Sequence, residues 1–223
     1  SVDRMAYEGC PIGNLSSEFV YMPKDNGKEH YVDGTLSMDD YEVCTLSGMY
    51  NAEGEGSIDA DMTLSRTPLL LLNGFVPDRL IHFKGYAQGE VKVKGSLSRP
   101  DVNGELYFDS AYVASDPYGV QMRLCDDQLT INNSRLQFEN FQMFARNGNA
   151  LTLYGYFDFA NFDRMNTYLR MRADNYLLID AKENARSEAF GKAYVNFLGL
   201  VDGPLDALRM RGKLDVLGSS DVT

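Results

Sequence analysis

Tryptophan is absent from this 223-residue chain, histidine occurs twice and cysteine three times. Each scarcity closes a class of chemistry. His30 and His82 stand in no HxH, HxxxH or HExxH context, so neither a metal site nor a nucleophile–base pair has its parts. Cys10, Cys44 and Cys125 form no CxxC and read as plain buried thiols. A Cys10–Cys44 disulfide is compatible with the sequence, so cysteine usage does not assign a compartment. Basic residues are few as well: 21 Lys and Arg face 32 Asp and Glu, for a formal net charge of −11. They are scattered singly, which excludes a protein that tracks a nucleic-acid backbone. The longest apolar run is "PLLLL" with "GFV" close behind, far short of the roughly 20 residues of a spanning helix. No low-complexity linker divides the chain, so a single continuous unit over 1–223 is expected.

What the chain has in quantity is alternation. In "GSIDADMTLS" the apolar set is Ile58, Ala60, Met62 and Leu64, with Ser57, Asp59, Asp61, Thr63 and Ser65 between them. That is a half-buried strand with one wet face. "GEVKVKGSLSRPDVNGELYF" (89–108) reads as two such strands, with Val91, Val93, Leu97, Val102, Leu106 and Phe108 on one side. The pattern recurs at Leu129 and Ile131, at Leu136 and Phe138, and at Leu151, Leu153, Phe157 and Phe159. It returns at Leu169 and Met171, and again at Leu208, Met210, Leu214 and Val216. Roughly fifteen strands of ordinary length fit, which predicts an all-β, antiparallel-rich fold. Asn147-Gly148 predicts a tight hairpin between "FQMFA" and "ALTLY". Helix is scarce: "TPLLLLNGF" allows one, with Thr67 as cap, Pro68 at the first position and Gly74 as stop. Short helical turns also fit "FDRMNTY" and "KENARSEAF", whereas residues 1–33 show weak periodicity.

Glycines interrupt the strands in phase with the apolar face. Gly-x-apolar-x-apolar recurs at Gly34, Gly56, Gly104, Gly155 and Gly212, and Gly95 falls on the same face. A glycine inside a strand gives up packing, so these positions are expected at the crease of a bent sheet, where the inner face has no room. A larger block repeats too: "GSLSRPDVNGEL", with Gly95, Pro100 and Gly104, is echoed by "GLVDGPLDALRMRGKL", with Gly199, Pro204 and Gly212. Aligned on these residues, the second copy is four residues longer.

Segments 68–108, "GVQMRLCDDQLTINNSRLQFENFQM", "GNALTLYGYFDF" and "GPLDALRMRGKLDVLGSSDVT" together resemble the C-terminal region of the TamB family, the AsmA-like envelope proteins. The likeness covers about residues 67–223 and rests on the order of its elements. It implies a long, taco-like curled sheet around an apolar groove, with one or two short helices. It further implies a periplasmic location in a longer protein anchored in the inner membrane, of which this chain is an internal fragment. The family is implicated in moving phospholipid to the outer membrane and, with an outer-membrane barrel of the TamA type, in assembling outer-membrane proteins. That barrel would be met by a segment outside this chain.

The residues then expected to line a lipid groove are Val91, Val93, Leu97, Leu106, Phe108, Leu129, Ile131, Leu136, Phe138, Leu151, Leu153, Phe157 and Phe159. Their role is passive apolar contact with acyl chains, and no catalytic residue, metal or cofactor is expected. Asp39-Asp40 and Asp126-Asp127 read as turn chemistry, because adjacent strand residues face opposite ways and cannot converge on one substrate. The alternative is a scaffold that pairs unfolded outer-membrane strands along a sheet edge. A carbohydrate-binding sandwich stands third, since Trp is absent and the tyrosines are dispersed.

Overall fold

The computed structural model describes residues 2–7, 10–75, 82–115, 119–181 and 190–222. The strands are β1 (Val2–Tyr7), β2 (Cys10–Pro23), β3 (Glu29–Met38), β4 (Tyr41–Asn51), β5 (Ser57–Pro68), β6 (His82–Ser96), β7 (Arg99–Ser115) and β8 (Val120–Leu124). After them come β9 (Leu129–Asn132), β10 (Arg135–Phe144), β11 (Ala150–Asp158), β12 (Asn166–Ala181), β13 (Gly191–Pro204), β14 (Arg209–Val216) and β15 (Asp221–Val222). All belong to one antiparallel sheet, so the fold is all-β as the alternation predicts. Within the weakly periodic residues 1–33, β1, β2 and the start of β3 are strand as well.

The sheet follows chain order, with two economies. β8 and β9 occupy one position between β7 and β10, since Tyr112 pairs with Arg123 and Leu106 with Leu129 in a single register. Residues 125–128 leave that ladder, although the Cys125 N–H still donates to the Gln142 carbonyl and the Gln142 N–H to the Cys125 sulfur. β15 likewise continues along β13 beyond β14. The path therefore runs through thirteen strand positions from β1 to β14, a contour of about 58 Å at the usual 4.8 Å spacing.

Antiparallel neighbours put successive turns on alternate rims. Asp39-Asp40 and Asn133-Ser134 are two-residue hairpin turns with all four φ positive, between +48° and +67°, as a type I′ turn requires. Ser134 is buried: its hydroxyl donates to the Pro100 carbonyl at 2.7 Å and accepts from the Val102 N–H at 2.9 Å. The Asn147-Gly148 hairpin exists, but its loop is longer than a tight pair. The Gly148 N–H donates to the Ala145 carbonyl and the Ala145 N–H to the Asn149 carbonyl, with Gly148 at φ +82°. That is a three-residue loop closed by a glycine bulge.

The expected helix over "TPLLLLNGF" is a 3-10 helix, Leu69–Phe75. Thr67 does not cap it; it lies in β5 and its hydroxyl donates to the Val43 carbonyl at 2.5 Å. Gly74 falls inside the element. A single 3-10 turn at Phe162–Arg164, capped by Asn161, occupies "FDRMNTY". "KENARSEAF" lies almost wholly outside the described residues. No helix among the described residues is long and apolar enough to cross a membrane. The Cys44 thiol is free, so the disulfide is not formed, and burial pushes the Cys44 and Cys125 thiols up.

The ladder slips by one residue between β5 and β6, β6 and β7, β10 and β11, and β12 and β13. At these slips Arg66, Ser110, Asn140 and Asn175 hold φ between +49° and +60°. Each is an inserted residue that bends its strand and increases the local twist. The curl of the sheet is thus marked by an oblique line of bulges.

Candidate functional site

The inner face can be followed strand by strand through the pairing. One row runs Gly34, Leu46, Met62, Val91, Gly104, Ile131, Leu136, Phe157, Thr167 and Gly203, each the direct partner of the next. Val32, Gly48, Ala60, Val93 and Val102 form a second row beside it. Cys44, Leu64, Gly89, Leu106 and Leu129 begin a third. Twelve of the thirteen expected groove residues are buried or half-buried on this face. Leu97 is not among them. It occupies the turn between β6 and β7 and is 52% exposed, because the alternation it was assigned by ends at Ser96.

The opposite face carries the charges. Lys92 lies 3.7 and 3.4 Å from the Asp59 and Asp61 carboxylates, and Lys94 lies 3.4 Å from Asp59. These pairs are exposed and add at most about 1 kcal/mol each. Their effect is to keep that face wet.

Three packed clusters fill parts of the inner face. The largest joins Leu69 of the 3-10 helix to Ala87, Ala111, Leu124, Leu129, Phe141 and Leu153. Phe141 meets Phe108 and Phe138 edge-on at centroid distances of 6.0 and 5.6 Å. Val91, Val102 and Ile131 form a second cluster, against which Val93, Leu136 and Phe159 pack. Ala145, Ala173, Tyr176, Leu177 and Val195 form the third. The Tyr176 hydroxyl is buried there with no hydrogen-bond partner among the described residues, and burial pushes its phenol up.

The sequence did not single out Phe141, Ala111 or Tyr176, for one reason. Phase is lost at a bulge: Leu136 and Phe138 are followed inside by Phe141, across Asn140, and Leu106 and Phe108 by Ala111, across Ser110. Ala173 and Tyr176 bracket Asn175 in the same way. An Asn or Ser where an alternating pattern slips by one residue is the signal that would have found them.

Toward β14 the face is uncovered. Val201 pairs with Met210, Phe197 with Leu214 and Val195 with Val216, so these three β14 side chains continue the inner layer. Val195 and Val201 are buried, whereas Met210, Leu214 and Val216 are 69%, 50% and 64% exposed. The apolar layer therefore extends one strand past its cover.

The glycines divide into two kinds. A Cβ on Gly104 would overlap the Glu90 carbonyl, on Gly155 the Tyr168 carbonyl and on Gly212 the Leu198 carbonyl, in each case the backbone of the neighbouring strand. Gly34 has an ordinary φ and a Cβ there would come nearest the Phe19 ring, while Gly56 and Gly95 hold positive φ beside turns. What the first kind spares is a close approach between strand backbones, and the bends themselves fall at the bulge residues. The repeat also resolves differently. Gly203 stands before its turn as Gly95 does, and Gly212 meets the opposite strand as Gly104 does. "GSLSRPDVNGEL" and "GPLDALRMRGKL" are therefore equivalent hairpins of equal length, and Pro204 is not the counterpart of Pro100.

His30 stacks on Tyr21 at 4.5 Å, Asp39-Asp40 is a hairpin turn, and Asp126-Asp127 lies in the break between β8 and β9. No group of three or more His, Cys, Asp or Glu able to hold a metal occurs among the described residues. A scan against protein-family models, a search of curated proteins and a search of solved structures each returned no match.

Proposed function

We propose that this chain is a non-catalytic stretch of an apolar groove that holds the acyl chains of phospholipid, as part of a periplasmic bridge of the TamB type between inner and outer membrane. The observation that carries the reading is the inner layer itself: one row that crosses ten neighbouring strands and is apolar but for Thr167, two shorter rows beside it, and Asp59, Lys92 and Lys94 on the other face. Such a surface gains about 0.8 kcal/mol for each acyl CH₂ it buries and requires no specific polar contact. The gain is greatest where the layer has no cover of its own, along Met210, Leu214 and Val216. At the centre Leu69 and Phe141 already fill the space. In a full-length protein the groove would serve lipid transfer and outer-membrane biogenesis.

Adjacent residues of β14 supply the test. A photocross-linking residue at position 214 faces the inner layer and one at position 213 the outer face, yet both strand positions are exposed. Incubation with phospholipid vesicles should give lipid adducts at 214 and few at 213. Equal labelling would remove the distinction between the faces and with it the groove.

The exposed β14 also favours a second reading, in which an unfolded outer-membrane strand adds to this edge by main-chain pairing. Its outer face offers Arg209, Arg211 and Lys213, with Asp202 bonded to the first two at 2.9 and 3.2 Å. Presented with an unfolded barrel polypeptide and vesicles together, the 214 variant should form polypeptide adducts if this reading holds. Lipid adducts alone would exclude it.

A further inference from the structure

We propose that a cavity of about 570 Å³ at the rim holding the Asp39-Asp40 turn binds the headgroup and first chain carbons of an aminophospholipid. The inference rests on the lipid reading above but concerns a different surface. The cavity lies where β4, the end of β5 and the start of β6 meet the 3-10 helix. Lys84 and Tyr86 line it, and they alternate with Phe83 and Ala87, which pack in the main core. It therefore opens on the other side of β6 from the inner layer.

Its walls are apolar: Val43 and Pro68, both buried, with Leu70 and Met38. Its charges are sorted by strand, with Arg66 and Lys84 on β5 and β6 and Asp39 and Glu42 on the β4 side. Asp39 is already engaged, accepting the Asn14 N–H at 2.9 Å. Glu42 and Lys84 enter no ion pair among the described residues. Arg66 is held in place, its guanidinium 4.3 Å from the Tyr86 ring centroid and 3.5 Å from the Asp109 carboxylate.

The backbone at Arg66 is the second observation. The other bulge residues with positive φ are Ser110, Asn140 and Asn175, short side chains that suit that conformation, whereas Arg66 holds φ +58°. A long cation at a strained position beside an apolar-walled cavity points to a function for its charge. In this assignment Arg66 and Lys84 take the phosphate, Glu42 the ammonium, and Val43, Pro68 and Leu70 the start of a chain, all of them lining the cavity. The volume lies in the ordinary range for one small ligand, about 300–1,000 Å³, and suits part of one lipid. The β4–β5 ladder ends at Cys44 and Leu64, and beyond it only the Thr67 hydroxyl reaches the Val43 carbonyl, so the cavity occupies the gap where the two strands part.

A photocross-linking residue at position 70 reads this site, and the one at 214 reads the groove. With vesicles of equal phosphatidylethanolamine and phosphatidylglycerol, position 70 should label the ethanolamine lipid about tenfold more, the factor that one charge-assisted contact of ~1.4 kcal/mol supplies. Position 214 should label both alike. Arg66→Gln with Lys84→Gln should abolish labelling at 70 and leave 214 unchanged, and Glu42→Gln should bring the two lipids at 70 to parity. All three replace exposed side chains, and unchanged melting temperatures confirm the fold. Equal lipid labelling at 70, or indifference to the charge variants, overturns the site while labelling at 214 keeps the groove. Labelling at 70 with none at 214 overturns the groove and keeps the site. A polypeptide adduct at 70, or full suppression there by O-phosphoethanolamine at the lipid's own concentration, overturns the assignment to an amphiphile.

Discussion

Gly155→Ala and Gly104→Ala should each lower the melting temperature by roughly 10 °C, from a loss of about 3–5 kcal/mol in a chain of this size. The methyl is small, but its position is occupied. At Gly155 it would overlap the Tyr168 carbonyl oxygen and at Gly104 that of Glu90. A flexible side chain could swing aside, whereas a hydrogen-bonded strand backbone moves only with its whole ladder. Gly155 adds a φ of +133°, which an alanine rarely adopts. Gly34→Ala is the matched control, since its Cβ would come nearest the Phe19 ring, at 3.3 Å, with the Glu18 carbonyl at an ordinary 3.9 Å, and its φ is ordinary. Thermal melts that found Gly34→Ala as damaging as Gly155→Ala would refute the close approach of the strands.

Leu129→Asp should cost about 3–5 kcal/mol at pH 7, against nearly nothing for Leu97→Asp, although both substitute the same side chain. Leu129 is 2% exposed between Leu124 and Phe141 in the main cluster, whereas Leu97 sits in a solvated turn. The pH dependence has a defined sign. Burial disfavours the charged carboxylate, so the folded pKa of the new Asp rises above its unfolded value near 4. The destabilisation is then full above the folded pKa and diminishes as pH falls from there toward about 4, where the folded state binds the proton more readily. Denaturant melts of variant and parent at pH 7 and pH 4.5 should show the gap narrowing at the lower pH. A constant gap would mean that position 129 is open to water.

Strand positions and their two faces were legible in the sequence because a period of two is a local property. Asp59, Asp61, Lys92 and Lys94 lie opposite Ala60, Met62, Val91 and Val93 whatever the rest of the chain does. That Asp39-Asp40 is a turn followed for the same reason, as did the strand count and the scarcity of helix among the described residues. Tertiary structure decided whatever depends on a neighbouring strand. Bulges at Ser110, Asn140 and Asn175 reverse the facing of everything after them, which brought Ala111, Phe141 and Tyr176 inside. Strand pairing showed that 95–106 and 203–214 are equal hairpins, since register depends on two strands at once. Packing made "LLLLNGF" a 3-10 helix whose Leu69 enters the core, an outcome its own composition does not select. The rim cavity brings Glu42, Arg66 and Lys84 together from three strands, and no spacing along the chain encodes that meeting. Faces belong to the single strand, and sites belong to the sheet.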